Sequence, residues 1–336
     1  MKMILQALSL VDPQDTSSHS TSSDFLVQSK TGTGKTLAYL FAIVETLLRT
    51  PPTGVGALII APTRELALQI QREAQMLLTH QSLEIIALVG GISKREDKIN
   101  LRRHKPHILI GTAGRLLYHL EETYFFTSLF ENLQILVLDE ADRLLELGHR
   151  LATQKLLSYL PKKRQTFLFS ATLSKQMNEL IQQACKADYQ FLDCIASTNP
   201  TQLLLHQQAI LHPAEATLTV LYNILYGEIQ KHRYSYKIIV FFQTSRLTAF
   251  FSAFFQQQFR MAVYEIHSRR DSTTRLSLSL KFSKDSTGIL FASDLCARGM
   301  DFPNISLVIQ VGAPLNFEQY LHRIGRTARL GGRKFG

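Results

Sequence analysis

The chain has few cysteines and no long hydrophobic run. Its three cysteines, Cys185, Cys194 and Cys296, are an odd number, widely spread and without metal-site spacing. We therefore expect free thiols in a reducing compartment rather than disulfides or a structural zinc site. No apolar run approaches the length that crosses a bilayer, and the first residues lack the charged-then-apolar layout of a secretory signal. The sequence predicts a soluble intracellular protein without a membrane partner.

Acidic residues are outnumbered, since 27 Asp and Glu face 37 Lys and Arg and leave a net charge of +10 with histidine neutral. A basic balance favours polyanionic partners such as nucleic acid, although it can also serve solubility alone. Hydrophobic residues make up 45% of the chain and charged residues 19%, which indicates globular domains with substantial cores. A length of 336 residues suits two domains better than one.

Short apolar runs alternate along the chain with segments whose apolar residues recur at spacings of three and four. The first runs are "FLVQS", "GALIIAP", "LEIIALVG", "HILIGT", "LQILVLDE", "QTFLFSA" and "QFLDC". After the polar segment "IASTNPTQ" the alternation restarts with "YKIIVFFQT", "AVYEIHS", "GILFASD" and "ISLVIQVG". This rhythm predicts an α/β fold in two domains, residues 1–195 and 196–336, each with a mainly parallel sheet and helices on both faces. Ligands of such sheets bind beyond the carboxyl ends of the strands.

The segment "SKTGTGKT", which begins at Ser29, follows the first apolar run and opens a helix. Gly32 and Gly34 let successive N–H groups point into one concavity suited to phosphate, although Ser29 replaces the first glycine of the phosphate-loop pattern. In this interpretation Lys35 neutralises the β and γ phosphates, and the Thr36 hydroxyl binds Mg²⁺. The alternative is a strand-to-helix turn that uses its glycines for geometry alone.

Two adjacent acids, Asp139 and Glu140, end the apolar run "LQILVLDE". Packing does not explain them, because a buried charge is unfavourable without a cation. Asp139 would bind the magnesium ion and Glu140 would polarise the attacking water, which is the complement that a phosphate loop requires for ATP hydrolysis. For the tetrapeptide "DEAD" taken alone, the alternative is an acidic surface turn.

From Phe25 to Arg329 the sequence resembles the DEAD-box RNA helicases. The motifs that carry the resemblance occur in the order "SKTGTGKT", "PTRELA", Gly90-Gly91, "TAGR", "DEAD", "SAT", "ASDLCARGMD" and "HRIGRTAR". The segments "ARGMDFPN" and "HRIGRTAR" are most similar to those of fungal mitochondrial DEAD-box RNA chaperones. That closer resemblance implies a location in the mitochondrial matrix.

The resemblance implies two RecA-like domains that close over ATP, Mg²⁺ and a strand of RNA. The positions that would bind the nucleotide are Ser29, Lys30, Thr31, Gly32, Thr33, Gly34, Lys35 and Thr36, with Asp301 at the ribose and Gln6 at the adenine edge. Thr36 and Asp139 would hold the metal ion.

Three arginines lie in the predicted helix "NFEQYLHRIGRTAR". Arg326 and Arg329 are three apart, hence on one helix face, and by the resemblance would reach ATP as arginine fingers, with Arg323 in a supporting contact. A solvated helix face is the alternative. The apolar residues predicted to pack this helix on the sheet recur at helical spacing: Phe317, Tyr320, Leu321 and Ile324.

By the same resemblance, RNA is contacted through its sugar-phosphate backbone with little sequence specificity. The RNA-facing positions are Arg64, Gly91, Thr112, Gly114, Arg115, Arg275 and Ser293. The positions that would couple ATP to domain closure are Asp142, Ser170, Thr172 and Arg323. Ordinary roles stay open for two positions, because Arg64 could form a salt bridge and Thr112 is a good N-cap residue for the helix "GRLLYHLEE".

The sequence departs from the family pattern at Ala113, where proline is usual, and at Ser272, where glutamine is usual. The family continues beyond the position of Gly336 with a strand and a helix, so we expect an incomplete second domain and a loosely held C-terminal helix. The resulting hypothesis is a monomeric ATP hydrolase, an RNA helicase or RNA chaperone that locally unwinds short duplexes. The alternatives are a non-hydrolysing, ATP-gated RNA clamp or scaffold and a DNA-directed helicase, which is disfavoured because the family's RNA recognition uses ribose 2′-hydroxyls.

Overall fold

Continuous apolar runs form the strands, as expected for parallel sheets that are covered on both faces. The computed structural model of the chain describes residues 23–29, 34–145, 149–194, 206–294 and 302–327, apart from the side chains of Ser272 and Glu318. The chain divides into two compact units, Met1–Thr198 and Asn199–Gly336. The boundary predicted near residue 196 lies outside the described residues, so its position stays a prediction.

The first unit contains a seven-stranded sheet. Its strands are β1 Phe25–Gln28, β2 Ala57–Ala61, β3 Ile85–Leu88, β4 Ile108–Thr112, β5 Ile135–Leu138, β6 Gln165–Ser170 and β7 Gln190–Asp193. Their order across the sheet is β3-β4-β2-β5-β6-β1-β7, and neighbouring strands are parallel. Each apolar run that the sequence assigns to a strand of this unit is confirmed.

Helices cover both faces of the first sheet. They are α1 Lys35–Arg49, α2 Arg64–Leu77, α3 Lys94–Arg103, α4 Ala113–Glu122, α5 Ala141–Leu144, α6 Arg150–Tyr159 and α7 Lys175–Ala184, with a 3₁₀ helix at Thr127–Phe130. Side chains alternate along each strand, so Ile59 and Val137 join one apolar core while Leu58 and Leu136 join another. The two cores occupy opposite faces of the sheet, which confirms the predicted layering.

The second unit repeats this arrangement with four parallel strands. They are β8 Lys237–Phe242, β9 Tyr264–Ile266, β10 Gly288–Ser293 and β11 Leu307–Val311, in the order β11-β8-β10-β9. The helices are α8 Thr217–Lys231, α9 Ser245–Gln258, α10 Ser272–Lys284 and α11 Phe317–Ile324, with a 3₁₀ helix at Ala214–Ala216. Cores again form on both faces, as Ile239 and Val240 belong to different clusters. Among the described residues, no helix is long and apolar enough to cross a membrane.

Helix α11 is shorter than predicted. It ends at Ile324, and the N–H groups of Arg326 and Thr327 bond to carbonyls three residues earlier, in the tight pattern that closes helices. Gly325, a poor helix former, stands at this end. The prediction that Arg326 shares a continuous helix with the residues before it is therefore wrong.

The buried face of α11 is mostly polar. Gln319, His322 and Arg323 are buried together with Ile324, whereas Phe317 is 71% exposed. The helix contacts the carboxyl end of β10, where Asp294 accepts hydrogen bonds from Gln319 and Arg323, so polar side chains are favoured there. The prediction that Phe317 packs on the sheet is therefore wrong, Ile324 is buried as predicted, and the loose attachment of this helix stays a prediction.

Candidate nucleotide and RNA site

The predicted motifs line one edge of the first sheet. Because its strands are parallel, their carboxyl ends share that edge. Following the strand order, the motif residues are Gly91 after β3, Thr112 in β4, Arg64 after β2, Asp139 after β5, Ser170 in β6 and Lys35 after β1. The positions predicted to face RNA thus occupy one half of the edge, the RNA half, and the positions predicted for the nucleotide and for coupling occupy the other, the nucleotide half.

Lys35 begins α1 directly after Gly34, the N-cap residue. Gly34 has φ 84°, a left-handed conformation that suits glycine. Ser29 donates its N–H to the Ser170 carbonyl at 2.9 Å, and the buried Ser29 hydroxyl has no hydrogen-bond partner within the described part of the chain. Lys35 is itself buried. A helix N-terminus beside a buried ammonium group suits an anionic ligand such as phosphate.

Asp139 is held by two hydrogen-bond donors. Its Oδ1 accepts the Glu140 N–H at 2.9 Å, and its Oδ2 accepts the Tyr39 hydroxyl at 3.0 Å. Burial raises the pKa of Asp139, the charge of Lys35 lowers that pKa, and the charge of Glu140 raises it. The carboxylate therefore lies where a bound cation would stabilise its ionised form.

Tyr39 is a residue that the sequence analysis missed. Its ring is fully buried, with the centroid 5.4 Å from that of Phe169 in β6. Burial, followed by the nearby Asp139 charge, raises the pKa of Tyr39 well above its usual range, and the neighbouring Thr36 side chain lowers that pKa. The only sequence signal is the spacing of three between Thr36 and Tyr39, which places both on one face of a helix.

Glu140 has a strained backbone. Its φ of 46° and ψ of 54° are left-handed, and such a conformation in a residue other than glycine costs about 1–3 kcal/mol and concentrates at functional sites. The buried carboxylate forms an ion pair with Arg143, with 2.9 Å between Oε2 and Nη1. Arg143 was not predicted, although a base three residues after an acid on a helix was a usable signal. Backbone and ion pair together fix the direction of the Glu140 side chain.

The coupling positions of the first unit lie near the end of β6. The buried Ser170 hydroxyl donates to the Thr172 carbonyl at 2.6 Å and accepts the Thr172 N–H at 3.4 Å. Asp142 lies in the first turn of α5. The Ser170 hydroxyl therefore shapes the turn of the "SAT" motif, and its part in domain closure stays a prediction.

Arg64 lies against a bare stretch of backbone in the RNA half of the edge. A Cβ atom added to Gly90 would lie 2.7 Å from Nη2 of Arg64, so a side chain there would displace the guanidinium. Gly91 has φ 87°, which again favours glycine. The glycine pair therefore leaves exposed backbone beside an arginine, which is a suitable surface for a phosphate group.

Arg115 is buried and hydrogen-bonded inside the protein. It is 8% exposed, its Nε donates to Asp97 Oδ2 at 2.7 Å, and its Nη2 donates to the Ile92 carbonyl at 2.6 Å. The same Asp97 oxygen lies 3.0 Å from Nε2 of the buried His119. Arg115 thus holds the loop that follows Gly91, and its direct contact with RNA stays a prediction.

The start of α4 differs in one detail from the prediction. Thr112 takes the N-cap position, but its hydroxyl makes no capping hydrogen bond, so the predicted capping role of the side chain is wrong. A Cβ atom added to Gly114 would meet no atom within 4 Å. The first turn of α4 therefore has open space beside Gly114.

In the second unit, Asp294 anchors α11. Its Oδ1 accepts Nε of Arg323 at 2.6 Å, and its Oδ2 accepts Nη2 of Arg323 and Nε2 of Gln319, each at 2.6 Å. Arg323 is 1% exposed and lies 5.5 Å from the centroid of the Phe241 ring. Asp294 was not singled out from the sequence, because its partners stand 25 and 29 residues away.

The remaining predicted positions of the second unit are not members of this ion pair. Arg326 is 2% exposed and its Nε donates to the His322 carbonyl at 3.3 Å. Arg275 on α10 donates from Nη1 to the Arg270 carbonyl at 3.0 Å. Ser293 ends β10, and its buried hydroxyl has no hydrogen-bond partner among the described residues. The predicted positions outside the described residues are Gln6, Lys30, Thr31, Gly32, Thr33, Asp301 and Arg329.

Comparisons with known proteins identify the family. Residues 12–180 match the DEAD/DEAH box helicase family, and residues 217–331 match the helicase conserved C-terminal domain. A rice protein named DEAD-box ATP-dependent RNA helicase 26 is 39% identical over 311 residues, which cover 92% of this chain and 58% of the relative. The mitochondrial ATP-dependent RNA helicase mss116 of Aspergillus oryzae is 42% identical over 321 residues, which cover 92% of this chain and 50% of the relative.

Solved structures agree with the fold. A structure of Mss116p bound to ssRNA and AMP-PNP has a TM-score of 0.83 and 34% sequence identity, and the match covers 93% of this chain and 65% of that one. The predicted pair of RecA-like parallel-sheet domains is therefore confirmed. The chain spans about half the length of the curated relatives that it matches. It belongs to the DEAD-box RNA helicase family.

Proposed function

We propose that this chain is an ATP-dependent RNA helicase or RNA chaperone that binds ATP and an RNA backbone and locally opens short duplexes. The observation that carries the proposal is the shared sheet edge, where Lys35 and Asp139 lie in one half and Arg64 and Gly91 in the other. One rigid sheet thus presents both sets of residues, which suits coupling between the two ligands. The Mss116p structure with ssRNA and AMP-PNP supports the pairing of ligands.

In the nucleotide half, each side chain has a distinct task. Lys35, at the N-terminus of α1, would bind the terminal phosphates of ATP. Glu140, whose direction is fixed by Arg143, would orient the attacking water and accept its proton. Ser170 and Thr172 lie between these groups in the strand order and would respond to the bound phosphate.

A magnesium ion fits the oxygen groups of this half. The described ranges contain no group of three or more His, Cys, Asp or Glu side chains that could hold a metal ion by themselves. Mg²⁺ usually keeps several waters and phosphate oxygens as ligands, so Thr36 and Asp139 are sufficient protein groups to hold it. When bound, the ion would neutralise phosphate charge.

The RNA half continues into the basic helix α3, which begins three residues after Gly91. Lys94 Nζ lies 3.7 Å from the centroid of the Tyr118 ring, and the Arg102 guanidinium lies 5.7 Å from that of Tyr124. Tyr124 is 88% exposed. Cations beside exposed aromatic rings suit a single RNA strand, whose phosphates attract the cations and whose bases can stack on the rings.

A non-hydrolysing, ATP-gated RNA clamp is the second candidate, and the burial of Arg326 favours it. An arginine finger must reach the phosphate of a bound nucleotide, and Arg326 is 2% exposed. The two candidates differ in turnover rather than in binding, so a measurement of phosphate release separates them.

The deciding experiment compares Lys35→Ala and Glu140→Gln with the unmodified chain. Lys35→Ala should weaken ATP binding, whereas Glu140→Gln should keep binding and lower RNA-stimulated phosphate release by about 10²- to 10⁴-fold, because a general base contributes that much. The matched control is Glu131→Gln, an exposed glutamate before β5, at the opposite end of the strand. Binding of ATP and RNA without RNA-stimulated release by the unmodified chain would favour the clamp.

RNA binding through the backbone predicts a defined response to salt. Arg102→Ala should weaken binding to unrelated single-stranded RNA sequences alike and reduce the slope of log affinity against log salt by about 0.7. Arg103→Ala is the control, because Arg103 is exposed on the same helix but points about 100° away from Arg102. Arg115→Ala is a poorer test, since it would also break the contacts with Asp97 and Ile92.

We also propose a mitochondrial location and a monomeric state. The location is supported by the mitochondrial name of the Aspergillus relative, while the rice relatives carry no organelle in their names. Imaging of the tagged native gene product tests the location. Light scattering during gel filtration tests the monomer, and a mass of twice 38.1 kDa would contradict it.

A further inference from the structure

Tyr39 connects the two residues that would hold magnesium. It lies on α1, one turn after Thr36, and its hydroxyl donates to Asp139 Oδ2 at 3.0 Å across 100 residues of sequence. The Thr36 side chain lies close enough to the same hydroxyl to lower the pKa of Tyr39. The Tyr39 ring packs on Phe169 of β6, the strand between β1 and β5. One fully buried phenol therefore bonds to Asp139 and lies beside Thr36.

The direction of the hydrogen bond to Asp139 follows from the atoms available. A phenol has one hydrogen to donate, and the ionised Asp139 can only accept, so the Tyr39 hydrogen goes to Asp139. The phenol oxygen can therefore only accept from the neighbouring Thr36 hydroxyl. In that direction, the lone pairs of the Thr36 oxygen stay available to a cation.

Asp139 keeps acceptor capacity as well. A carboxylate has about four lone-pair sites, and the donors described here, Tyr39 and the Glu140 N–H, use two of them. These two donors bind different oxygens and so fix the plane of the carboxylate. Asp139 is thus oriented by two hydrogen bonds, and neither of the two donors carries a charge.

We propose that Tyr39 is a positioning residue, whose hydroxyl orients Thr36 and Asp139 so that they bind the magnesium ion of a magnesium–nucleotide complex. The proposal rests on the proposed ATP-binding function. The proposal assigns the Tyr39 hydroxyl to metal affinity rather than to nucleotide affinity, because the hydroxyl bonds to Asp139 and lies beside Thr36. Partners that orient metal ligands typically contribute about 10- to 100-fold to metal affinity.

The test is Tyr39→Phe, which removes the hydroxyl and keeps the ring that packs on Phe169. We expect the Mg²⁺ concentration that half-saturates binding of a fluorescent ADP analogue to rise about tenfold. The affinity for the same analogue in EDTA should stay that of the unmodified chain. The Mg²⁺ requirement of ATP hydrolysis should shift in parallel, and thermal melting checks that the variant is folded.

Tyr264→Phe is the matched control, because the Tyr264 hydroxyl also donates to an aspartate, Asp285, in the second unit. It should leave the Mg²⁺ requirement unchanged. An unchanged requirement in Tyr39→Phe, or an equal loss of affinity in EDTA, would overturn the positioning role while the ATP-binding function stands. If the unmodified chain itself binds no nucleotide in the presence of Mg²⁺, the proposed function fails first, and the two failures are distinguishable.

Discussion

The two units each place an aspartate just after a central strand, and the two aspartates have different partners. Asp294, after β10, accepts three hydrogen bonds from Arg323 and Gln319. Asp139, after β5, accepts from the neutral hydroxyl of Tyr39 and from one backbone N–H. Both aspartates are buried, at 7% and 3% exposure.

This difference separates a structural acid from one that we propose binds a ligand. In Asp294 a bidentate arginine matches the carboxylate charge, so the pair can attach α11 to the sheet. In Asp139 the donors orient the carboxylate, while burial raises its pKa and leaves it in need of a cation. The position at the end of a parallel strand is shared, and the charge of the partners decides the role.

The largest expected effect comes from breaking the ion pair between Arg323 and Asp294. Arg323→Ala should destabilise α11 and the end of β10 by about 3–5 kcal/mol, because it leaves a buried carboxylate without its cation. Native-state hydrogen exchange of the α11 and β10 amides measures this loss in the second unit alone. Arg246→Ala, an exposed arginine on α9, is the control. A loss below about 1 kcal/mol would mean that the charge of Arg323 contributes little to the stability of Asp294. The two aspartates would then not differ in this respect.

A smaller effect is expected from Gln319→Ala, which removes one neutral donor from Asp294 and leaves Arg323 in place. The loss should be about 1–3 kcal/mol, the usual result of leaving a buried acceptor short of one partner. The same exchange measurement applies, with Gln257→Ala on α9 as the exposed control. A loss equal to that of Arg323→Ala would contradict the view that charge, rather than the number of donors, stabilises Asp294.

The fold could be predicted from sequence because its signals are local. Each parallel strand is a continuous apolar run, and the residue after the run lies at the functional edge, which was enough to place Lys35 and Asp139. The helical spacing of apolar residues was a less reliable guide to which side of a helix is buried. It placed Phe317 on the sheet, but α11 meets the polar end of β10 and turns Phe317 to solvent, at 71% exposure.

Two of the missed residues, Tyr39 and Asp294, have partners that are distant in sequence. Tyr39 contacts Asp139 across 100 residues, and Asp294 contacts Arg323 across 29. No periodic pattern reports such contacts, because they depend on which strands become neighbours. The i to i+4 spacing of Gln319 and Arg323 was the one local sign that a polar surface faces that side of α11.

The smallest effect on stability, and the sharpest test of the comparison, is expected from Asp139→Asn. Burial raises the pKa of Asp139 in the folded chain above the unfolded value of about 4, so the folded state holds this proton more tightly. The resulting stability is fully present below the unfolded pKa and is lost as pH rises through the folded pKa. Asparagine cannot titrate. The stability of the variant relative to the unmodified chain should therefore increase from pH 4 to pH 7.

Hydrogen exchange of the β5 and β6 amides across this pH range measures that trend in the first unit, with Asp188→Asn, an exposed aspartate, as the control that should show no slope. The same substitution should abolish Mg²⁺-dependent nucleotide binding, because an amide lacks the charge that a divalent ion requires. If neutralising Asp139 raises the stability of the first unit, the fold keeps this carboxylate at a cost in stability. Such a cost is expected of a group that binds a cation. A decrease in relative stability with rising pH would instead show that Lys35 neutralises Asp139 as fully as Arg323 neutralises Asp294, and the distinction between the two aspartates would fail.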